Sequence, residues 1–163
     1  MSRSMERSWL GSVLGLGVML SLSVMPLPDA VRGLRPDWVA VLLIYWSLAA
    51  PRRFSLISAF AMGLVLDTLH GALLGQHALA LLVVVYAAER FYLRVRLFPV
   101  SQLAITVLIL LALYQFILFW IDGIAGRTVP LVERWAPPLT GTLVWVAMSM
   151  VFGRRVREAH ARI

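Results

Sequence analysis

Residues Gly63 to Leu79, GLVLDTLHGALLGQHAL, constrain the fold more than any other stretch. One carboxylate, Asp67, stands near the end of an apolar run. Gly71 and Gly75 follow with His70 and His77, and a second apolar run begins at once. An acid inside a hydrophobic segment is costly, and such residues face a bundle interior or a watery cavity rather than lipid. The two glycines permit a tight, non-helical turn at a membrane boundary, where side chains restrict the backbone. The stretch therefore predicts two apolar helices joined by a short turn.

The remaining chain extends that pattern. Of its 163 residues 61% are hydrophobic and only 14% charged, with a mean hydropathy of +0.86. A soluble domain is about a quarter charged and half apolar, so the balance predicts an all-α, polytopic membrane protein. With no cysteine, neither a disulfide framework nor a thiolate metal site is available. The net charge of +7 comes from arginines that punctuate apolar segments and form no continuous basic stripe, which argues against nucleic acid.

Six spans are expected, at about 9–27, 38–50, 54–69, 77–92, 101–121 and 138–152, within one transmembrane domain covering 1–163. The first run is nineteen residues without a charge, about the length that crosses a bilayer core. A signal peptide is the competing reading of that run, but Met25-Pro-Leu-Pro28 has no small-residue cleavage site. Gly11 and Gly15 form a GxxxG pair that arises easily by chance in so glycine-rich a segment. Asp37 is placed to cap the second helix and Trp38 to anchor it at the interface. That second run is short, closed by Pro51-Arg52-Arg53, and a re-entrant half-span competes with a full crossing. Asp122 to Pro138 reads as a loop, with Pro137-Pro138 starting the last span. Eleven of the fifteen arginines fall in alternate segments, which by the positive-inside rule puts both termini in the cytoplasm.

Chemistry is harder to find. The chain has no zinc-type histidine pair, no phosphate-binding glycine loop and no nucleophile elbow. The outer acids read as loop solvation, so no catalytic residue, cofactor or metal site is expected. Asp67 has two readings, a buried carboxylate at a binding or proton-relay site, or a helix–helix hydrogen bond or ion pair with His77, Gln76 or an arginine of the 32–35 loop. The structural reading is favoured, because no acidic or histidine chain continues into the other spans. His77 reads as a helix-start residue, and Gln76 and Gln115 as hydrogen-bonders within the bundle. The basic tail from Arg154 to Arg162 reads as a topology signal drawn to anionic lipid.

Several motifs together resemble the bacterial rod shape-determining MreD family. They are Arg35-Pro-Asp-Trp38, Gly63-Leu-Val-Leu-Asp67, Leu74-Gly-Gln-His-Ala-Leu79, Arg96-Leu-Phe-Pro99 and Leu113-Tyr-Gln-Phe-Ile-Leu-Phe-Trp120. The resemblance covers nearly the whole chain. It implies a non-enzymatic component of the inner-membrane cell-elongation machinery, with an MreC-like single-span partner. It also implies an association, direct or indirect, with MreB-type actin-like filaments and the peptidoglycan synthases of lateral wall growth. A solute-binding subunit of an energy-coupling-factor-like transporter is the alternative, expected to show a polar cavity around Asp37, Trp38, Asp67 and His70. Asp67, Gly63, Gly71, Gly75, Gln76, His77, Asp37 and Trp38 are the candidate structural and partner-binding residues. Asp67→Leu is expected to disturb packing, and Asp67→Asn largely to preserve it.

Overall fold

A computed structural model describes residues 15–23, 25, 33–49, 56–95 and 98–160 of the chain. Among them it forms six helices and no strand. They are α1 (15–23), α2 (Trp38–Ala49), α3 (Leu56–His70), α4 (Gln76–Val95), α5 (Val100–Ile124) and α6 (Leu131–His160). Gly11, the outer parts of the first expected span, the Pro51-Arg52-Arg53 stop and Arg96 lie outside the described residues. So do the connection 26–32 and both chain ends.

The third to fifth helices fall close to the runs expected for them, whereas the last connection does not. α5 continues to Ile124 and α6 begins at Leu131, so most of the expected 122–138 loop is helical. Pro137 and Pro138 sit in the second turn of α6 instead of opening it. Proline lacks the N–H that bonds the carbonyl four residues back, so Pro137 and Pro138 leave the Glu133 and Arg134 carbonyls without their helical donors. The side chain of Thr142 donates to the Pro138 carbonyl at 2.7 Å, and Thr140 donates to the carbonyls of Ala136 and Pro137.

Among the described residues α5 is the one helix long and apolar enough to cross a membrane, about 37 Å at 1.5 Å per residue. α2 and α3 are apolar but shorter, twelve and fifteen residues, or about 18 and 22 Å.

The core runs through the middle of the bundle, with Val41, Ile44, Leu81, Val84, Val107, Leu111 and Tyr114 all essentially inaccessible. α3 and α4 share the most extensive pairing, and α5 lies between α4 and α6. Gly63 explains the first of these. A Cβ on it would lie 2.2 Å from the Ala78 Cα, so only a glycine lets the two backbones approach this closely. Polarity is distributed in the reverse of a soluble bundle. Ile57, Leu93, Ile109, Trp120, Leu139 and Leu143 are exposed, whereas Asp67, Gln76, Gln115, Asp122 and Arg134 are buried.

Candidate functional site

Two aspartates end two helices in the same way. In α3 the chain reads Asp67-Thr-Leu-His-Gly71, and in α5 Asp122-Gly-Ile-Ala-Gly126. Gly71 (φ 59°) and Gly126 (φ 68°) take the left-handed conformation that closes a Schellman turn. The Ala72 N–H then donates to the Asp67 carbonyl at 3.0 Å, and the Arg127 N–H to the Asp122 carbonyl at 2.8 Å. Each turn ties down the aspartate's backbone and leaves its side chain directed at the next helix.

Asp67 uses its carboxylate to cap α4. Oδ2 accepts from the Gly75 N–H at 2.8 Å; Oδ1 accepts from the His77 N–H and from His77 Nδ1, each at 2.8 Å. The first backbone N–H groups of a helix have no partner within it, so a buried acceptor there satisfies them and complements the positive end of the helix. Asp67 is 1% exposed, and its three bonds offset the cost of burying it. His77 in turn lies 5.4 Å from the His70 ring and 6.4 Å from that of Tyr114, centroid to centroid.

Asp122 anchors a second set of bonds. Oδ1 accepts from Gln76 Nε2 at 2.8 Å, and Oδ2 accepts from Arg134 Nη2 in a close ion pair. Arg134 Nη1 donates to Gln115 Oε1 at 3.4 Å, and Gln115 Nε2 donates to Asp37 Oδ2 at 2.6 Å. One chain of contacts thus runs from the start of α2 through α5 and α6 to the start of α4. It gathers the start of α2, the ends of α3 and α5, and the starts of α4 and α6 at one end of the bundle.

These contacts redraw several expectations. Asp37 does not spend its carboxylate on its own helix; it turns across the bundle to Gln115. Trp38 opens α2, half-buried. Gln76 and His77 are the first two residues of α4, and Gly75 (φ 98°) precedes them. Asp122 is not loop solvation but a buried partner of Arg134, which is only 6% exposed. Sequence reasoning missed this pair because both residues fell in a stretch read as loop. The repeated Asp-x-x-x-Gly spacing was the signal that marked Asp122 as the counterpart of Asp67.

Among these polar residues lies a cleft lined by Ser23, Arg35, Asp37, His70, His77 and Tyr114, with apolar walls from α2 and α3. About 70 Å³ of it is wide enough for water, which at about 10–15 Å³ apiece leaves room for about five to seven molecules. Asp37, just outside α2, has its carboxyl pushed up to about 6 by burial, against the opposing pull of Gln115, Arg134 and Arg35.

The family model described as rod shape-determining protein MreD matches residues 5–152. The rod shape-determining protein MreD of Haemophilus influenzae (strain ATCC 51907 / DSM 11121 / KW20 / Rd) is 30% identical over 101 residues. That stretch is 62% of this chain and 62% of the relative, so the match spans less than two thirds of the curated protein's length. No solved structure matches the chain.

Proposed function

Because the chain belongs to the rod shape-determining protein MreD family, we propose that it is a non-enzymatic, multi-pass scaffold of the bacterial inner membrane within the cell-elongation machinery. Family membership supports a role in rod shape determination, and the family is one of structural components of that process. On this reading the bundle is a single transmembrane domain that binds an MreC-like single-span protein. Through it, or directly, the chain associates with MreB-type filaments and the synthases of the lateral wall.

The observation that carries the scaffold reading is the reversed polarity of the bundle. Acids, amides and an arginine are paired inside, while branched and aromatic side chains cover the outside. Helix association in lipid draws on close packing and interhelical hydrogen bonds rather than on burial of apolar surface. Gly63 supplies the first and the Asp67 and Asp122 networks the second. Such a core fixes one arrangement of helices and leaves the lipid-facing surface to a partner. The short α2 and α3 cross with local thinning of the bilayer. The polar end of the bundle faces outward on the positive-inside pattern, with both termini in the cytoplasm.

The transporter alternative calls for a polar cavity around Asp37, Trp38, Asp67 and His70; Asp37 and His70 line the cleft, whereas Trp38 and Asp67 do not. The scaffold reading therefore stands ahead of it.

The absence of native cysteine makes topology directly measurable. Leu74→Cys on the exposed α3–α4 turn is expected to react with a membrane-impermeant maleimide in spheroplasts. Phe98→Cys, before α5, is expected to react only after permeabilisation. The reverse pattern contradicts the orientation, and reaction of both in intact spheroplasts contradicts the multi-pass arrangement. Depletion of the chain should round rod-shaped cells, and unchanged width and length on depletion would remove the proposed role.

A further inference from the structure

The cleft at the polar end of the bundle is walled by side chains with hydrogen-bonding capacity left over. Tyr114 and Ser23 are only 2% and 8% exposed, and among the described residues neither hydroxyl forms a hydrogen bond. A buried hydroxyl is costly unless something meets it, and both of these residues line the cleft. Asp37 is half-used in the same way, since Oδ2 takes the Gln115 amide and Oδ1 has no bond among the described residues. Asp67 accepts two backbone N–H groups, and the His77 ring contact at 2.8 Å is then a donation from Nδ1–H. In the neutral imidazole Nε2, on the far edge of the ring, keeps a lone pair.

These groups are mixed in kind, and the mixture selects the occupant. The ionised Asp37 carboxylate and His77 Nε2 only accept, Arg35 only donates, and the two hydroxyls do both. A cation would face the Arg35 guanidinium and leave the donors unmet. An anion would be set against the Asp37 carboxylate, and an apolar group would leave every polar wall bare. Water both donates and accepts, and a polar space of about 70 Å³ with several partners is what a small group of waters requires. Confined waters supply single hydrogen bonds rather than bulk solvation, in keeping with an Asp37 carboxyl that burial pushes up to about 6.

We infer that the cleft is a binding site for a cluster of water molecules that joins four helices. Ser23 comes from α1, Asp37 from just before α2, His77 from the start of α4 and Tyr114 from α5. Arg35 already reaches α1, with Nη2 donating to the Leu22 carbonyl, and the waters add a second polar connection between α1 and the bundle. A water that bridges two protein groups is nearly as good in enthalpy as a direct hydrogen bond. The site goes beyond the scaffold reading and stands or falls separately from it, since its test needs no elongation partner.

The test is water-edited solid-state NMR on the full chain, uniformly ¹³C- and ¹⁵N-labelled, in phosphatidylcholine/phosphatidylglycerol liposomes. Magnetisation passes from water to the protein sites that water touches. Leu111, inaccessible in the core one turn from Tyr114, is the dry reference, and Leu74 on the exposed α3–α4 turn is the wet one. The expected result is build-up at the Tyr114 and His77 rings several-fold faster than at Leu111 and close to that of Leu74. Build-up at Tyr114 as slow as at Leu111 would mean that something other than water fills the space, and overturns the site. Ser23→Leu gives a second check, because it fills the cleft from the α1 side and leaves the Asp67–His77 contact in place. Its Tyr114 signal should fall to the Leu111 rate. Fast build-up retained in a folded Ser23→Leu protein overturns the placement of the waters in this cleft. If that variant does not fold, the wild-type comparison decides alone.

Discussion

His77 meets the Asp67 carboxylate twice, through its backbone N–H and through its ring Nδ1, both at 2.8 Å on the same oxygen. The second oxygen takes the Gly75 N–H, so one buried acid at the end of α3 organises the first turn of α4. The two helices with the most extensive pairing in the bundle are thereby fastened at their turn as well as along their length.

The three donors set the expected outcome for Asp67. Leucine leaves all of them without an acceptor, and at about 1–3 kcal/mol per buried unsatisfied group the variant should lose most of its stability. Asparagine has one acceptor oxygen and turns an N–H toward the other donors, so it should also cost about 1–3 kcal/mol rather than largely preserve the bundle. Thermal unfolding in mild detergent should rank wild type above Asn and Asn above Leu. Equal midpoints for all three would remove Asp67 from the account of the fold.

Gly63 and Gly71 should respond to alanine for different reasons. At Gly63 the added Cβ collides with the Ala78 backbone, which has no side-chain rotation to relieve it, and α3 must move away from α4. At Gly71 the Cβ enters open space but the residue must hold φ 59°, a strain of about 1–2 kcal/mol for an L side chain. Gly63→Ala is therefore expected to be the more damaging of the two in the same unfolding measurement. A larger loss in Gly71→Ala would mean that the close approach is not what holds the pair.

Asp122 and Arg134 form a buried ion pair, and removing one partner of such a pair typically costs about 3–5 kcal/mol because the other charge is left uncompensated. Asp122→Asn and Arg134→Met should each destabilise strongly, and the double variant by less than the two combined. A double-mutant cycle on the unfolding free energy measures that difference. Strict additivity would contradict the pairing.

Asp37 gives the bundle a pH dependence of definite sign. Its folded carboxyl titrates at about 6, above the ordinary value of 3.8, with burial as the main cause. The folded chain thus binds the proton more tightly than the unfolded one. The stability this contributes is fully present below about pH 4 and is lost as pH rises through 6. The midpoint difference between wild type and Asp37→Asn should widen against the wild type over that interval. A flat difference would show that Asp37 is not desolvated.

The sequence makes the apolar helices visible because their lengths and periods are dictated by composition, and Asp67 stands out because an acid in such a run needs an explanation. The 122–138 stretch was opaque for the opposite reason. Arg127, Glu133, Arg134 and two prolines carry the signals of an exposed loop, and only the packing of α6 on α5 places Arg134 beside Asp122. Asp37 shows the same limit. Its position before Trp38 fits an N-cap by local chemistry, yet Gln115, 78 residues away, takes its carboxylate. Long-range partners of this kind leave no local mark.

The central claim is that the bundle serves the elongation machinery as a membrane scaffold. Mass spectrometry of what co-purifies with the tagged chain from its own membranes in mild detergent tests it most directly. An MreC-like single-span protein together with wall synthases is the expected result, with both lost in Asp67→Leu. Recovery of an energy-coupling membrane subunit with its ATPases, and no wall proteins, would contradict it.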